Sequence, residues 1–358
     1  VQAGPRAGNA GEQRIAESIA HWFKRLGGDV VMEEVLPGRP NVYGLWPGQS
    51  ESWMAVDVHV DTVGVEQMTG DPFSGEVREG RVWGRGAVDT KASLAVVLSL
   101  IEEMQMHGKL PHHNLLIGAT VDEEFGATGA PAFAAWIAEH DLPVVQMVVA
   151  EPTLCVPVTG HRGVARFELT FHGKATHSSQ PDLGNNAIVA AARTVVAYAD
   201  EHEQLQTSRP GHVGHPTLTS TIIGGGNGNN VVPDRCTLFV DRRVVDGEEP
   251  SEVIDALYAL AQRQGARSVE IQRQLEIHAF YQPSDSAWIR QLAALSGSTP
   301  QHAPYGTNAW AYRNLPCETV VIGPGSIDQA HGAEEWVELS ELEKIARIYA
   351  DWWEISLE

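Results

Sequence analysis

The sequence predicts a discontinuous α/β domain with a smaller α+β domain inserted into it. Three observations carry that prediction. Strand-length apolar runs alternate with helical periodicity in the first half, a strict apolar–polar alternation begins near Val164, and helix, strand and helix return after about Tyr281. At 358 residues the chain also exceeds one ordinary core and suggests about two domains.

Taken in order, Ile15, Ile19, Trp22, Phe23 and Leu26 recur at helical spacing, and Gly27-Gly28 ends that helix. Short β-rich runs follow at Val30–Met32, Asn41–Trp46 and Trp53–His59. Asp89 to His107 reads as a long helix that turns Leu94, Val97, Leu98, Ile101 and Met104 towards a core. The strand Leu115–Val121, a helix near Pro131–Glu139 and the strand Val144–Ala150 continue the alternation. Strands separated by helices imply a largely parallel sheet covered on both faces. From Val164 the texture changes: Ala165, Phe167, Leu169 and Phe171 alternate with Arg166, Glu168, Thr170 and His172, as in a half-buried antiparallel strand. A helix near Asn186–Glu203, strands near Thr217–Ile222 and Cys236–Val244, a helix near Pro250–Gln264 and a strand near Ser268–Ile277 complete the order β-α-β-β-α-β of a ferredoxin-like unit. Ser340-Glu341-Leu342-Glu343 has the capping-box pattern that opens a final helix. The expected boundaries are residues 1–163 and 278–358 for the outer domain and 164–277 for the insert.

The formal net charge is −21, from 46 acidic and 25 basic residues. That balance argues against a nucleic-acid partner, whose phosphates call for clustered Lys and Arg. Solubility is its ordinary reading, but carboxylates committed to cations are the other. Apolar runs stop at strand length, short of the roughly 20 residues that span a bilayer, so no membrane association is expected. Cys155, Cys236 and Cys317 stand far apart with no CxxC pair, which indicates neither a disulfide framework nor a thiolate zinc site and fits a reducing cytoplasm. The opening VQAGPRAGNAGEQ lacks Met and shows no secretory pattern.

Acidic residues then appear where apolar strands end. Asp57, His59 and Asp61 share one face at the end of Trp53–His59, and a polar sheet face is their bland reading. Asp89 follows the glycines of Gly84-Arg85-Gly86 and stands where an N-cap belongs. Asp122-Glu123-Glu124 places three carboxylates in succession, which repel unless something positive lies among them. Glu151 ends Val144–Ala150, and His331 lies in a glycine-rich loop near the C-terminus. Taken together, His59, Asp89, Glu123, Glu124, Glu151 and His331 form a constellation of nitrogen and oxygen donors of the kind that two divalent ions need.

With these residues assembled, the sequence resembles the M20 metallopeptidases, a family of dinuclear zinc amidohydrolases and exopeptidases. The matching segments are DVHVD, GRGAVDTKASLA, TVDEEFG, VAEPT, GHRG, THSSQP, GGGNGNNVVPD and GPGSIDQAHGAEE, in family order along nearly the whole chain. The resemblance implies a zinc exopeptidase-like catalytic domain with a mixed sheet and an inserted dimerisation domain, hence a homodimer. It implies two divalent metal ions, zinc first and cobalt or manganese as alternatives. His59 and Glu151 would hold one ion, Glu124 and His331 the other, with Asp89 bridging. Asp61 would orient His59, and Glu123 would be the general base that takes a proton from a bridging water and passes it to the leaving amine. Two such ions, three ligand carboxylates and a hydroxide leave the cluster near neutral. His177, Asn230 and Arg243 match substrate-binding positions, with Arg242 as the alternative to Arg243, since strand alternation lets only one face the site. Asn308 departs from the family pattern, in which an acidic residue is usual. The implied substrate is a small N-acyl amino acid or dipeptide. The acetylornithine deacetylase subgroup leads, followed by succinyl-diaminopimelate desuccinylase or a carboxypeptidase or dipeptidase; a non-catalytic binding protein on the same fold is the remote alternative.

Overall fold

The computed structural model describes residues 11–355. Two compact units divide the chain: residues up to Thr159, Gln282–His302 and those from Thr307 onward make the first, while Gly160–Tyr281 and Ala303–Gly306 make the second.

In the first unit the strands lie in the order Asp29–Leu36, Arg39–Trp46, Asn114–Thr120, Trp53–His59, Val144–Val149, Glu318–Val321. The last four run parallel to one another. Arg39–Trp46 pairs antiparallel on both of its sides, and Val158 pairs antiparallel with Val321 at the opposite edge. The sheet is therefore mixed, with a parallel centre. Parallel neighbours share a direction, so the loops after His59, Thr120, Val149 and Val321 gather at one edge, which is where open α/β sheets build sites.

The helices Gln13–Arg25, Lys91–Met106, Ala287–Ser296 and Leu339–Trp352 cover one face, burying Phe23, Val97, Ile101, Ile345 and Trp353 against Val56, Val58 and Ile117. The helix Gly129–Glu139 supplies Phe133, which stacks on Tyr43 at a ring separation of 4.7 Å, and Trp136, which lies tilted against it at 4.8 Å. Phe133 lies so close over Gly118 that any side chain there would collide with it, which explains a glycine inside a buried strand.

Two expected helix starts are corrected. Lys91–Met106 begins after Asp89, with Thr90 at the N-cap and no side-chain cap. Asp89 is drawn away by histidines instead. Leu339–Trp352 begins at Glu338, also without a side-chain cap, so Ser340 lies inside the helix and the capping box does not form. The chain there passes directly from the strand Trp336–Glu338 into the helix, and the Glu338 carboxylate is taken by Arg81 at 2.8 Å. That strand joins Arg81–Trp83 and Val77–Arg78 in a three-stranded sheet the sequence did not announce.

In the second unit, the strands order as Thr217–Gly225, Arg235–Val244, Gly163–His172, Ser268–Ile277, all antiparallel. The helices Ala187–Thr207 and Pro250–Gln262 pack on the face carrying Phe167, Leu169, Phe171, Leu238 and Val240. This is the ferredoxin-like order expected. Asn186 caps the first of these helices by accepting the Val189 N–H at 3.2 Å.

Candidate metal centre

Parallel strands deliver most of the site. His59 is the last residue of its strand, Glu123 and Glu124 follow Asn114–Thr120, and Glu151 follows Val144–Val149. Asp89 approaches from the turn before Lys91–Met106, and His331 from the loop before Trp336–Glu338.

These residues meet in two groups that share Asp89. Ligand atoms of His59, Asp89 and Glu151 lie within 4.8 Å of one another, as do those of Asp89, Glu124 and His331. His59 Nε2 is 2.9 Å from Asp89 Oδ1 and 3.9 Å from Glu151 Oε2. The other Asp89 oxygen, Oδ2, is 3.2 Å from His331 Nε2, which is 2.9 Å from Glu124 Oε2. One carboxylate thus addresses two imidazoles, one with each oxygen. Mixed imidazole and carboxylate donors around a common carboxylate fit a pair of divalent ions.

Asp61 is fully buried and serves two neighbours. Its oxygens accept the backbone N–H groups of Glu123 and Glu124, each at 3.1 Å, and Oδ1 lies 3.5 Å from His59 Nδ1. Asp61 therefore fixes the turn that carries both glutamates as well as the histidine two residues away.

Asp122-Glu123-Glu124 resolves into three addresses. Asp122 Oδ1 accepts from Arg39 Nη1 at 2.8 Å and Oδ2 from Thr128 at 2.8 Å. Arg39 also grips buried Glu12. Glu124 faces His331. Glu123 meets no arginine, and burial, reinforced by nearby carboxylates and opposed by His59, pushes its carboxyl up to about 8.

The cluster's other proton affinities follow its charges. Burial works against a charged His59, but its bonds to Asp61 and Asp89 prevail and hold its pKa well above the ordinary value. Hydrogen bonds donated to Asp89 and Glu124 raise His331 to about 10. Burial raises Glu151 well above the carboxylate range despite His59. Asp89 is lowered: burial opposes ionisation, yet His331 and His59 outweigh it. Protons thus balance charge that cations would otherwise balance, and metal binding must release them.

Three residues near the site lie in the matching segments, yet the sequence assigns them no role. Lys91 is folded under the Gly84–Asp89 turn beside Gly86, whose φ of 79° and lack of a side chain leave room for the ammonium. Its Nζ has no hydrogen-bond partner among the described residues, and burial lowers its pKa against the pull of Glu335, Asp89, Asp61 and Glu124. Arg85 and Glu335 form a buried ion pair at 2.6 Å.

Two expected site neighbours point elsewhere. Asp57 shares His59's face, but its Oδ1 accepts from Thr120 at 2.6 Å and it joins neither group. Asn308 is buried and donates to Thr120 at 3.3 Å, completing that polar network instead of presenting its amide to a ligand.

His177, Asn230 and Arg243 lie in the second unit. The first two are neighbours: His177 bridges to Val231, and Ser178 N–H donates to the Asn230 carbonyl at 2.9 Å. Both are exposed, and His177 Nδ1 is engaged by Ser179 at 2.7 Å. The two arginines separate by strand alternation. Arg242 points to the buried face and pairs with Glu248 at 2.6 Å, whereas Arg243 occupies the half-open face with Asp241 at 2.9 Å.

Strand ends that bring nitrogen and oxygen donors around one shared carboxylate are built to activate water, and the chain is a metal-dependent hydrolase. Residues 55–355 match Peptidase family M20/M25/M40, and the chain belongs to that family. An acetylornithine deacetylase of Vibrio vulnificus (strain CMCP6) is 32% identical over 341 residues, spanning 91% of this chain and 87% of the relative. An M20 family metallo-carboxypeptidase from Sulfolobus solfataricus superposes with a TM-score of 0.78 at 17% identity, over 96% of this chain and 93% of that one. A tripeptidase from Staphylococcus aureus gives 0.77 at 20% identity, over 98% and 93%. These two likenesses show the fold. No helix among the described residues is long and apolar enough to cross a membrane.

Proposed function

We propose that the protein hydrolyses the amide bond of a small N-acyl amino acid, with an N-acetyl substrate of the acetylornithine kind first in order. The carrying observation is Asp89, shared between the groups of His59 with Glu151 and Glu124 with His331. In this reading His59 and Glu151 hold one divalent ion, Glu124 and His331 the second, and Asp89 both. Zinc is the first choice and cobalt or manganese the alternatives. When bound, such a pair supplies Lewis acidity towards water and the scissile carbonyl.

The chain's own residues do the rest. Glu123 takes a proton at its carboxylate and returns it to the departing amine. Asp61 holds the Glu123 backbone and the His59 ring, so base and ligand keep a common frame. His177, Asn230 and Arg243 are proposed substrate contacts, Arg243 because its planar fork suits a carboxylate and Arg242 is spent on Glu248.

Similarity to the Vibrio vulnificus deacetylase supports the acyl-amino-acid reading. The test is a panel of N-acetyl, N-succinyl and dipeptide substrates compared by kcat/KM. Preference for an N-succinyl substrate or a dipeptide would move the assignment to a desuccinylase or a carboxypeptidase. Absence of turnover across the panel in metal-replete protein would favour a binding protein. We also place the protein in the cytoplasm, in keeping with three free cysteines. A homodimer through the second unit is supported by its open edge strand, where Ile222 and Ile223 are 65% and 51% exposed, and by Val196 at 61%. A monomer by sedimentation would reject that part.

A further inference from the structure

Two loops separated by most of the chain meet beside Asp89. The Gly84–Asp89 turn carries the shared carboxylate, and the segment from His331 to Glu335 carries the exposed ligand. Strand pairing of Trp336 with Trp83 sets these segments side by side, but the contacts nearest the cluster come from one carboxylate and one guanidinium. Glu335 is 1% exposed and both its oxygens are committed. Oε1 accepts the backbone N–H groups of Val88 at 3.0 Å and Asp89 at 3.2 Å, and Oε2 accepts from Arg85 Nη1 at 2.6 Å. Arg85 Nη2 donates in turn to the Gly332 carbonyl at 3.1 Å, next to His331.

We propose that Glu335 and Arg85 are positioning residues that set the spacing between Asp89 and His331, and thereby tune the second metal group selectively. The two groups differ in what else holds them. His59 and Glu151 sit at the ends of paired central strands, and Thr90 Oγ1 ties the Asp89 turn to the Ala150 carbonyl at 2.9 Å without using the clamp. His331 lies in a turn and not at a strand end, and its side chain is 53% exposed, against 5% for Glu124 and 7% for Asp89. Backbone bonds from Thr69 N–H to the Ala333 carbonyl at 2.9 Å and from Gly84 N–H to the Glu335 carbonyl at 3.0 Å help hold the segment, and the Glu335–Arg85 pair is the side-chain tether that reaches both Asp89 and the residue after His331.

This inference rests on the dinuclear reading of the site, and the test separates the two. Metal-free wild type, Glu335→Gln and Arg85→Lys are titrated with Co²⁺, following stepwise affinity by calorimetry and bound metal by mass spectrometry, after confirming a cooperative melt for each. Wild type should bind two ions. In both variants the second step should weaken at least tenfold, within the roughly 10–100-fold range of outer-shell partners, while the first stays within about threefold. An unchanged second step, or equal weakening of both, overturns the clamp. Fewer than two ions in wild type overturns the dinuclear reading instead. If Glu335→Gln does not fold, Arg85→Lys, which keeps the charge and loses the fork, decides the matter.

Discussion

Asp61 receives the backbone N–H of Glu123 at 3.1 Å, so the proposed base is held through its main chain and its carboxylate stays free. A single aspartate thereby couples the strand that ends in His59 to the turn that begins after Thr120. Replacing it by asparagine keeps the shape but turns one acceptor into a donor facing an N–H. Asp61→Asn should lower metal affinity by about 10–100-fold and reduce kcat as well. Wild-type affinity for both ions would show that His59 is oriented by something else.

Glu123 is tied to Asp61 through its backbone N–H, a bond that replacing the side chain leaves in place. Glu123→Gln should therefore leave metal content and melting temperature close to wild type while kcat falls by about 10²–10⁴-fold. Retained kcat with intact metal would remove Glu123 from the chemistry.

Chelation should abolish amide cleavage, and zinc or cobalt should restore it. Because ions that bind only the folded state stabilise it by mass action, the reloaded protein should also melt at a higher temperature than the stripped one. Turnover that survives exhaustive chelation would contradict the metal-dependent mechanism.

The metal-free protein should lose stability as pH rises from about 6 to 9. Burial keeps a proton on Glu123 up to about 8, where an ordinary glutamate has lost it near 4.5, and the carboxylates around His331 keep its proton up to about 10 against 6.5. The folded chain thus binds more protons than the unfolded one throughout that window, and its stability declines with pH. A melting temperature of chelated protein that is flat or rises between pH 6 and 9 would refute this.

Arg39 neutralises two carboxylates, Glu12 and Asp122, with its side chain only 14% exposed. Arg39→Met leaves both without a counter-charge in buried surroundings. A loss of about 3–5 kcal/mol is expected in urea unfolding, since removing one partner strands the others. A change below about 1 kcal/mol would mean that water reaches these groups readily.

Much of this was readable in the chain, and the division has a physical basis. Strand ends are announced locally, because an apolar run that stops on a carboxylate marks both the end of burial and a candidate ligand. Glu151 is visible for that reason, while His59 and Glu124 stand at or just beyond the ends of their strands. The partners of such residues were not. Arg39 lies 83 positions from Asp122, and Glu335 lies 250 from Arg85, so no local pattern links them. The three-stranded sheet has no local signature, because its strands are two or three residues long and its members come from distant segments. Asp89 and Ser340 looked like helix caps because capping patterns describe what a side chain can do, and tertiary partners decided otherwise. Arg242 and Arg243 part on the phase of one strand, Arg242 pairing with Glu248 and Arg243 lying on the other face beside Asp241.

The order in which the chain is made has a bearing on its safety during synthesis. His59, Asp89 and Glu151 all precede residue 152, whereas His331 emerges only after the entire inserted unit. Until then the central strand Val144–Val149 also lacks its neighbour Glu318–Val321 and offers an unpaired edge to other nascent chains. A ribosome stalled inside the insert would leave a cluster that lacks only His331 and a sheet with an open edge, which makes the last segment a closing seam as well as a source of one ligand.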